Sequence, residues 1–273
     1  MKKNILILAI AIMLVASFSF AEVTYDKSFV KPDLSLVKNI YKAQVRSLDF
    51  AQADRIVRNI CGITGAPLVV DNAKSDKNIQ YYRTVDNKIS CQIDRATGDV
   101  FYRNHTKFQG SAPNLPAKDT AVSLARNYLM ELGMFKKGMA KPHISTLKDA
   151  VVNGPTFEKM RVVTFTRTLD GIPVLGASRA AVMLGANGNL VGLVLRWMDA
   201  QPQKVTKVAT PAQLKKIIKR KMAARKLNVV VKKANLIMFD NGKGTMKPMI
   251  HLEGDLITSQ GKFFSDWMIP VTK

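Results

Sequence analysis

Residues 49–62, DFAQADRIVRNICG, and residues 79–103, IQYYRTVDNKISCQIDRATGDVFYR, carry the pattern from which the rest of the chain is read. Asp49 offers a side-chain acceptor for a helix start, and Phe50, Ala53, Ile56, Val57 and Ile60 recur at helical spacing. Gly62 is expected to end that run. Strands then fit Ile79 to Val85 and Lys88 to Asp94, turning at Asp86-Asn87, and Ala96-Thr97-Gly98 leads into a third at Asp99 to Arg103. The unit is an amphipathic helix followed by a meander, and its short turns favour antiparallel pairing.

The same pattern recurs twice. A second helix is expected from Pro116 to Leu132, with Ala121, Leu124, Ala125, Tyr128 and Leu132 as its apolar stripe and Gly133 closing it. Strands follow at Arg161 to Leu169, Ile172 to Val174, Ala180 to Leu184 and Leu190 to Trp197, with Asp170-Gly171 and Asn187-Gly188 as turns. The third helix starts at Thr210, whose capping box with Gln213 precedes Leu214, Ile217, Ile218 and Met222, and Pro211 takes the first helical position. Strands at Ala234 to Phe239, Lys247 to Leu252 and Lys262 to Val271 complete it. The expected fold class is α+β, built of repeated units of one helix packed on an antiparallel sheet. The units span 22–110, 111–203 and 204–273, with Gln201-Pro202-Gln203 as the better boundary and Ser111 to Pro116 as the weaker. Residues 22–45 read as an extended or partly helical lead-in broken by Pro32.

The first 21 residues speak of export. Lys2 and Lys3 precede an uncharged apolar run, Ile5 to Ala16, and Ser19 and Ala21 supply the small residues of a cleavage site. The run falls short of the roughly 20 apolar residues of a spanning helix, although an uncleaved N-terminal anchor is the alternative. No cysteine follows it, which argues against a lipoprotein. The expected protein is therefore exported, periplasmic or secreted, with a mature start near Glu22.

The chain holds 42 Lys and Arg against 20 Asp and Glu, a formal charge of +22. Loss of Lys2 and Lys3 with the leader leaves +20. Such a charge favours anionic partners: a membrane surface, an envelope polymer, nucleic acid or an acidic protein. It also serves plain solubility. Cys61 and Cys91 are the two cysteines, and in an oxidising compartment they are expected to form one disulfide, with two buried thiols as the alternative.

No residue set amounts to an active site. The histidines His105, His143 and His251 are far apart, with none of the paired spacing of a zinc helix. Gly176-Ala177-Ser178-Arg179-Ala180 lies between strands, where a nucleophile elbow needs strand and then helix. Asn241 to Thr245 reads as a hairpin loop, and Asp86, Asp94 and Asp99 occupy turn positions. The methionines fit core filling. The expectation is a protein without catalysis, metal or cofactor, with an enzyme whose site is assembled from distant residues as the remaining alternative.

The third helix has more to say about partners. Lys215, Lys216, Lys219, Arg220, Lys221, Arg225 and Lys226 crowd its polar side, and Lys232 and Lys233 follow. Lys215, Lys216, Lys219, Arg220 and Arg225 are the candidate anion-binding set, for an anionic envelope polymer or lipid. A solvated face is the competing reading. Base-stacking aromatics are missing among these cations, so no nucleic acid is expected.

The stretch Arg161 to Trp197, with VTFTRTLDGIPVLGASRAAVMLGANGNLVGLVLRW as its core, resembles the fungalysin/thermolysin propeptide (FTP) domain. The likeness lies in a Thr-rich strand, the segment Asp170 to Gly176, a small-residue strand, a Gly/Asn turn and a further strand. The third unit, through Leu236, Phe239, Pro248 and Trp267 to Val271, is similar to the PepSY domain that often follows FTP. The first resembles it more loosely, through Thr97 to Val100. The resemblance implies a non-catalytic module that acts as inhibitor or chaperone of an extracytoplasmic partner, such as a peptidase or an envelope sensor. No peptidase segment follows in this sequence, so the inhibitory role requires a target that is encoded separately. Gly171, Ile172, Pro173, Val174 and Gly176 form the candidate partner-binding segment: an edge strand open to β-addition, or else a structural hairpin.

Overall fold

The computed structural model describes residues 22–27, 29–44, 48–108, 111–139, 142–150, 152 and 154–272. The leader reading of residues 1–21 lies outside them. The first strands in chain order are β1 (Val23–Tyr25), β2 (Asn39–Ala43), β3 (Val69–Val70), β4 (Ile79–Arg83), β5 (Ile89–Asp94) and β6 (Asp99–Asn104). Next come β7 (His143–Ala150), β8 (Thr156–Thr166), β9 (Thr168–Leu169), β10 (Ile172–Gly176), β11 (Arg179–Leu184) and β12 (Leu190–Arg196). The last are β13 (Ala200–Lys204), β14 (Asn228–Asp240), β15 (Thr245–Thr258) and β16 (Gly261–Pro270). The helices are α1 (Phe50–Thr64), α2 (Lys118–Glu131) and α3 (Pro211–Ala224).

The described chain is thus mainly β, with its strands in two sheets of eight. It is not the expected α+β series of helix-on-sheet units. Meanders read as separate sheets instead join edge to edge. β6 pairs antiparallel with β12, from Val100↔Leu195 to Arg103↔Gly192, so one sheet runs β3-β4-β5-β6-β12-β11-β8-β7. α1 and α2 share its core: Ala53, Val57 and Ile60 of one and Ala121, Ala125 and Leu129 of the other lie with Tyr82, Ile93, Val163, Phe165, Val182 and Leu193. A single continuous core buries more apolar surface than two half-cores with exposed strand edges.

By contact, the chain divides into two units. The larger, Lys38–Lys204 with Met238–Lys247, holds this sheet and both helices. It also contains β2, to which β13 pairs from Ala200↔Ala43 to Lys204↔Asn39. Pro202, read as boundary punctuation, is paired there with Tyr41. The smaller unit comprises the described residues up to Val37, Val205–Ile237 and the described residues from Pro248 on. In it β1 runs parallel to β14, and β15 and β16 form a long hairpin from Met249↔Pro270 to Thr258↔Gly261. Leu214, Ile218 and Met222 of α3 pack on Val229, Val231, Ile250, Leu252, Trp267 and Ile269. The lead-in is more regular than expected, with β1, β2 and a short 3-10 turn at Leu34–Leu36 capped by Asp33.

Two local expectations need correction. α1 runs past Gly62 to Thr64 and ends at Gly65, whose left-handed backbone (φ 67°) supplies the helix stop. Cys61 and Cys91 are free thiols, and the expected disulfide is not formed. Because the helix continues, Cys61 is held inside its last turn, half-buried, while β5 seals Cys91 in the core. That burial pushes the Cys91 thiol up to about 12, with nearby Cys61 adding to the effect.

Candidate functional site

α3 owes its position to a reciprocal cap: the Gln213 amide donates to Thr210 Oγ1 at 3.3 Å, and Thr210 N donates to Gln213 Oε1 at 3.0 Å. With Leu214, Ile218 and Met222 buried, helical periodicity turns the cations outward. Lys215, Lys216, Lys219, Arg220 and Arg225, the candidate anion-binding set, are all exposed on this helix or at its C-cap. Between Pro211 and Asn228 the sequence holds no acid to neutralise them.

The surroundings shape these charges into a groove. Lys216, Lys219, Arg220 and Lys221 line an opening of about 710 Å³ with Ile217, Ala223 and Pro270. A second opening, of about 190 Å³, continues beside Lys221 and Arg225 to Asp266, Trp267 and Met268. Lys221 Nζ reaches the Met268 carbonyl at 3.4 Å. Acids of the same unit have other partners, including Asp266, which lines the second opening. Asp255 holds Lys232 at 2.8 Å, Glu253 lies 3.8 Å from Lys233, and Asp266 meets His251 Nε2 at 2.8 Å. Lys215 turns aside from the groove, its Nζ 5.7 Å from the Tyr25 ring centre. An array of this kind can hold carboxylates, phosphates or sulfates against an apolar floor.

The segment Gly171–Gly176 takes a different place. Asp170 (φ 51°) and Gly171 (φ 78°) both adopt left-handed backbone, the requirement of a tight hairpin turn. Ile172 and Val174 are buried, and Pro173 and Leu175 face outward. β10 is not an edge. Ile172 and Pro173 pair with Leu169 and Thr168 on β9, while Val174 to Gly176 run parallel to Met238 to Asp240 of β14. At Gly176 (φ 117°) an added Cβ would lie 2.1 Å from the Asp240 carbonyl oxygen.

A polar clasp surrounds that crossing. Ser178 Oγ donates to Asp240 Oδ2 at 2.6 Å and the Gly242 amide donates to Oδ1 at 2.8 Å, both inside the larger unit. Arg167, buried over Trp197, donates to the Met198 carbonyl at 2.6 Å. Burial lowers its pKa against the opposing pull of Asp199, Asp240 and Tyr41. Burial likewise raises Asp99, and the Arg196 guanidinium 2.9 Å away offsets only part of that. Tyr41 is pushed up to about 12, first by burial and then by Asp170. These contacts tie strands together, with Ser178 orienting Asp240. His105 meets Ser90 Oγ at 3.0 Å, His143 opens β7, and His251 meets Asp266 at 2.8 Å.

The sequence shows both the cations of α3 and a strand at Lys262 to Val271, but not that the outer edge of that strand lies beside them. Pro270 was the available signal, since proline is tolerated in a strand where its missing N–H faces away from the neighbour.

No family model matches the chain, and no curated protein matches it. Among solved structures, it is similar to an uncharacterized protein from Eubacterium rectale ATCC 33656, with a TM-score of 0.54 and 12% identity, over 91% of this chain and 86% of that one. This is a likeness of fold. It also aligns with the YpeB C-terminal domain of Bacillus megaterium at a TM-score of 0.40 and 13% identity, covering 82% of this chain and 99% of that domain. Among the described residues no helix is long and apolar enough to cross a membrane.

Proposed function

We propose that this is an exported, non-catalytic binding protein that engages an anionic partner outside the cytoplasm through the exposed face of α3. The carrying observation is the groove in which Lys216, Lys219, Arg220 and Lys221 surround Ile217, Ala223 and Pro270. Isolated surface cations are worth little, but several sharing one partner add their attractions and shed bound counterions together. An apolar floor adds contact area that a merely solvated helix face would not offer.

A second reading makes the protein an inhibitor or chaperone of an extracytoplasmic protein such as a peptidase. It draws on the resemblance of Asp170 to Gly176 to the FTP domain. With β10 flanked by β9 and β14, that contact falls to other surfaces of the chain.

Fluorescence anisotropy with labelled poly-L-glutamate tests the first reading. Purified protein is expected to bind it, with affinity falling steeply as salt rises. The triple variant Lys216→Glu, Lys219→Glu, Arg220→Glu is expected to lose roughly tenfold or more in low salt, the equivalent of about 1.4 kcal/mol. Equal binding by the variant would remove α3 from the account.

A further inference from the structure

β16 is the outer strand of its hairpin. Among the described residues it pairs with β15, and beyond its end a single bridge joins Thr272 to Val208. Pro270, opposite Met249, has no N–H to give. The Met268 carbonyl accepts from Lys221, a side chain of α3, so Met268 turns its main-chain groups away from β15. In an antiparallel strand this orientation repeats every second residue. Asp266 and Phe264 therefore present their N–H and C=O groups on the same outer side.

Natural edges are normally blunted by bulges, by prolines, by charges or by a covering element, and on this one Pro270 blunts the last position. The β15–β16 register runs without a bulge from Pro270 to Gly261. Asp266, the acid on this stretch, is drawn to His251. The two openings described above share Lys221 and follow this edge from Asp266 to Thr272, with Arg225 at one end and Lys216 towards the other. Phe264, 71% exposed, extends the surface towards the hairpin tip.

We propose that the outer edge of β16 takes an extended acidic protein segment as an added strand, its carboxylates meeting Lys221, Arg225 and the neighbouring cations of α3. This rests on the anionic-partner reading and names the partner's class. The edge favours protein over lipid or polysaccharide because a row of main-chain donors and acceptors at strand spacing is matched by another main chain. Alternation supplies the rest. Every second side chain of the added strand faces α3, where Ile217 and Ala223 offer apolar contact between the cations.

Two labelled peptides of equal charge, matched in length to β16, provide the test by anisotropy. One alternates Glu and Val; the other carries Pro in place of each Val and cannot form a ladder. Wild-type protein is expected to bind the first at least roughly tenfold more tightly. In Met268→Pro, that preference should vanish while charge-driven binding remains, with circular dichroism reporting the fold. If this variant does not fold, a Glu-Val peptide N-methylated at alternate residues asks the same of the wild type. Lys221→Glu with Arg225→Glu should weaken both peptides. Equal affinity for the two peptides overturns added-strand binding and leaves the anionic-partner reading standing. Tighter binding to phosphatidylglycerol vesicles than to either peptide assigns the surface to lipid and also overturns it. No binding to peptides, vesicles or poly-L-glutamate rejects both proposals.

Discussion

A methyl group at Gly176 would sit 2.1 Å from the Asp240 carbonyl oxygen, on a backbone whose φ of 117° a side chain rarely tolerates. Gly176 is what lets β10 approach β14, and Ser178 and the Gly242 amide then fix Asp240 from either side. Gly176→Ala is expected to cost at least about 2 kcal/mol, strain and overpacking together. Gly98→Ala is the control: a methyl group at Gly98 (φ 75°) would meet nothing within 4 Å, so only the glycine's conformational fit is lost. Urea unfolding of both variants checks this, and similar losses would mean that the close crossing contributes little. The sequence places Gly176 at the end of the Gly171–Gly176 segment; it does not say that Asp240, 64 residues on, approaches it.

Elements were legible where their signals are local. Asp49-Gln52 and Thr210-Gln213 announce the starts of α1 and α3 because each capping box closes within one turn. Thr210→Ala is expected to lower stability by about 1 kcal/mol, read as a shift in the urea midpoint. An unchanged midpoint would show that packing alone holds the start of α3. Strands were harder. β13, AQPQK, is polar and contains a proline, and it becomes a strand only because β2 lies beside it, more than 150 residues earlier. β7, HISTLKDA, alternates weakly and is held by its partner β8. The expected three sheets failed for the same reason. Turn chemistry reports which strands are neighbours in sequence, while β6 with β12 and β10 with β14 are joined by burial. In the candidate site, helical spacing exposed the α3 cations, but β16's free edge depends on register, of which Pro270 is the local sign.

For the molecule as a whole, the formal charge of +22 is a field that draws anions, and α3 is where cations, an apolar floor and an open strand edge coincide. Net charge alone would hold a polyanion anywhere, so the account depends on where the anion sits. Lysine acetylation of the intact protein, with and without poly-L-glutamate and read by mass spectrometry, locates it most directly. Lys216, Lys219 and Lys221 are expected to be shielded, their labelling slowed roughly tenfold, while Lys136 and Lys148 react as before. Equal slowing at all of these lysines, or shielding centred away from α3, would contradict it.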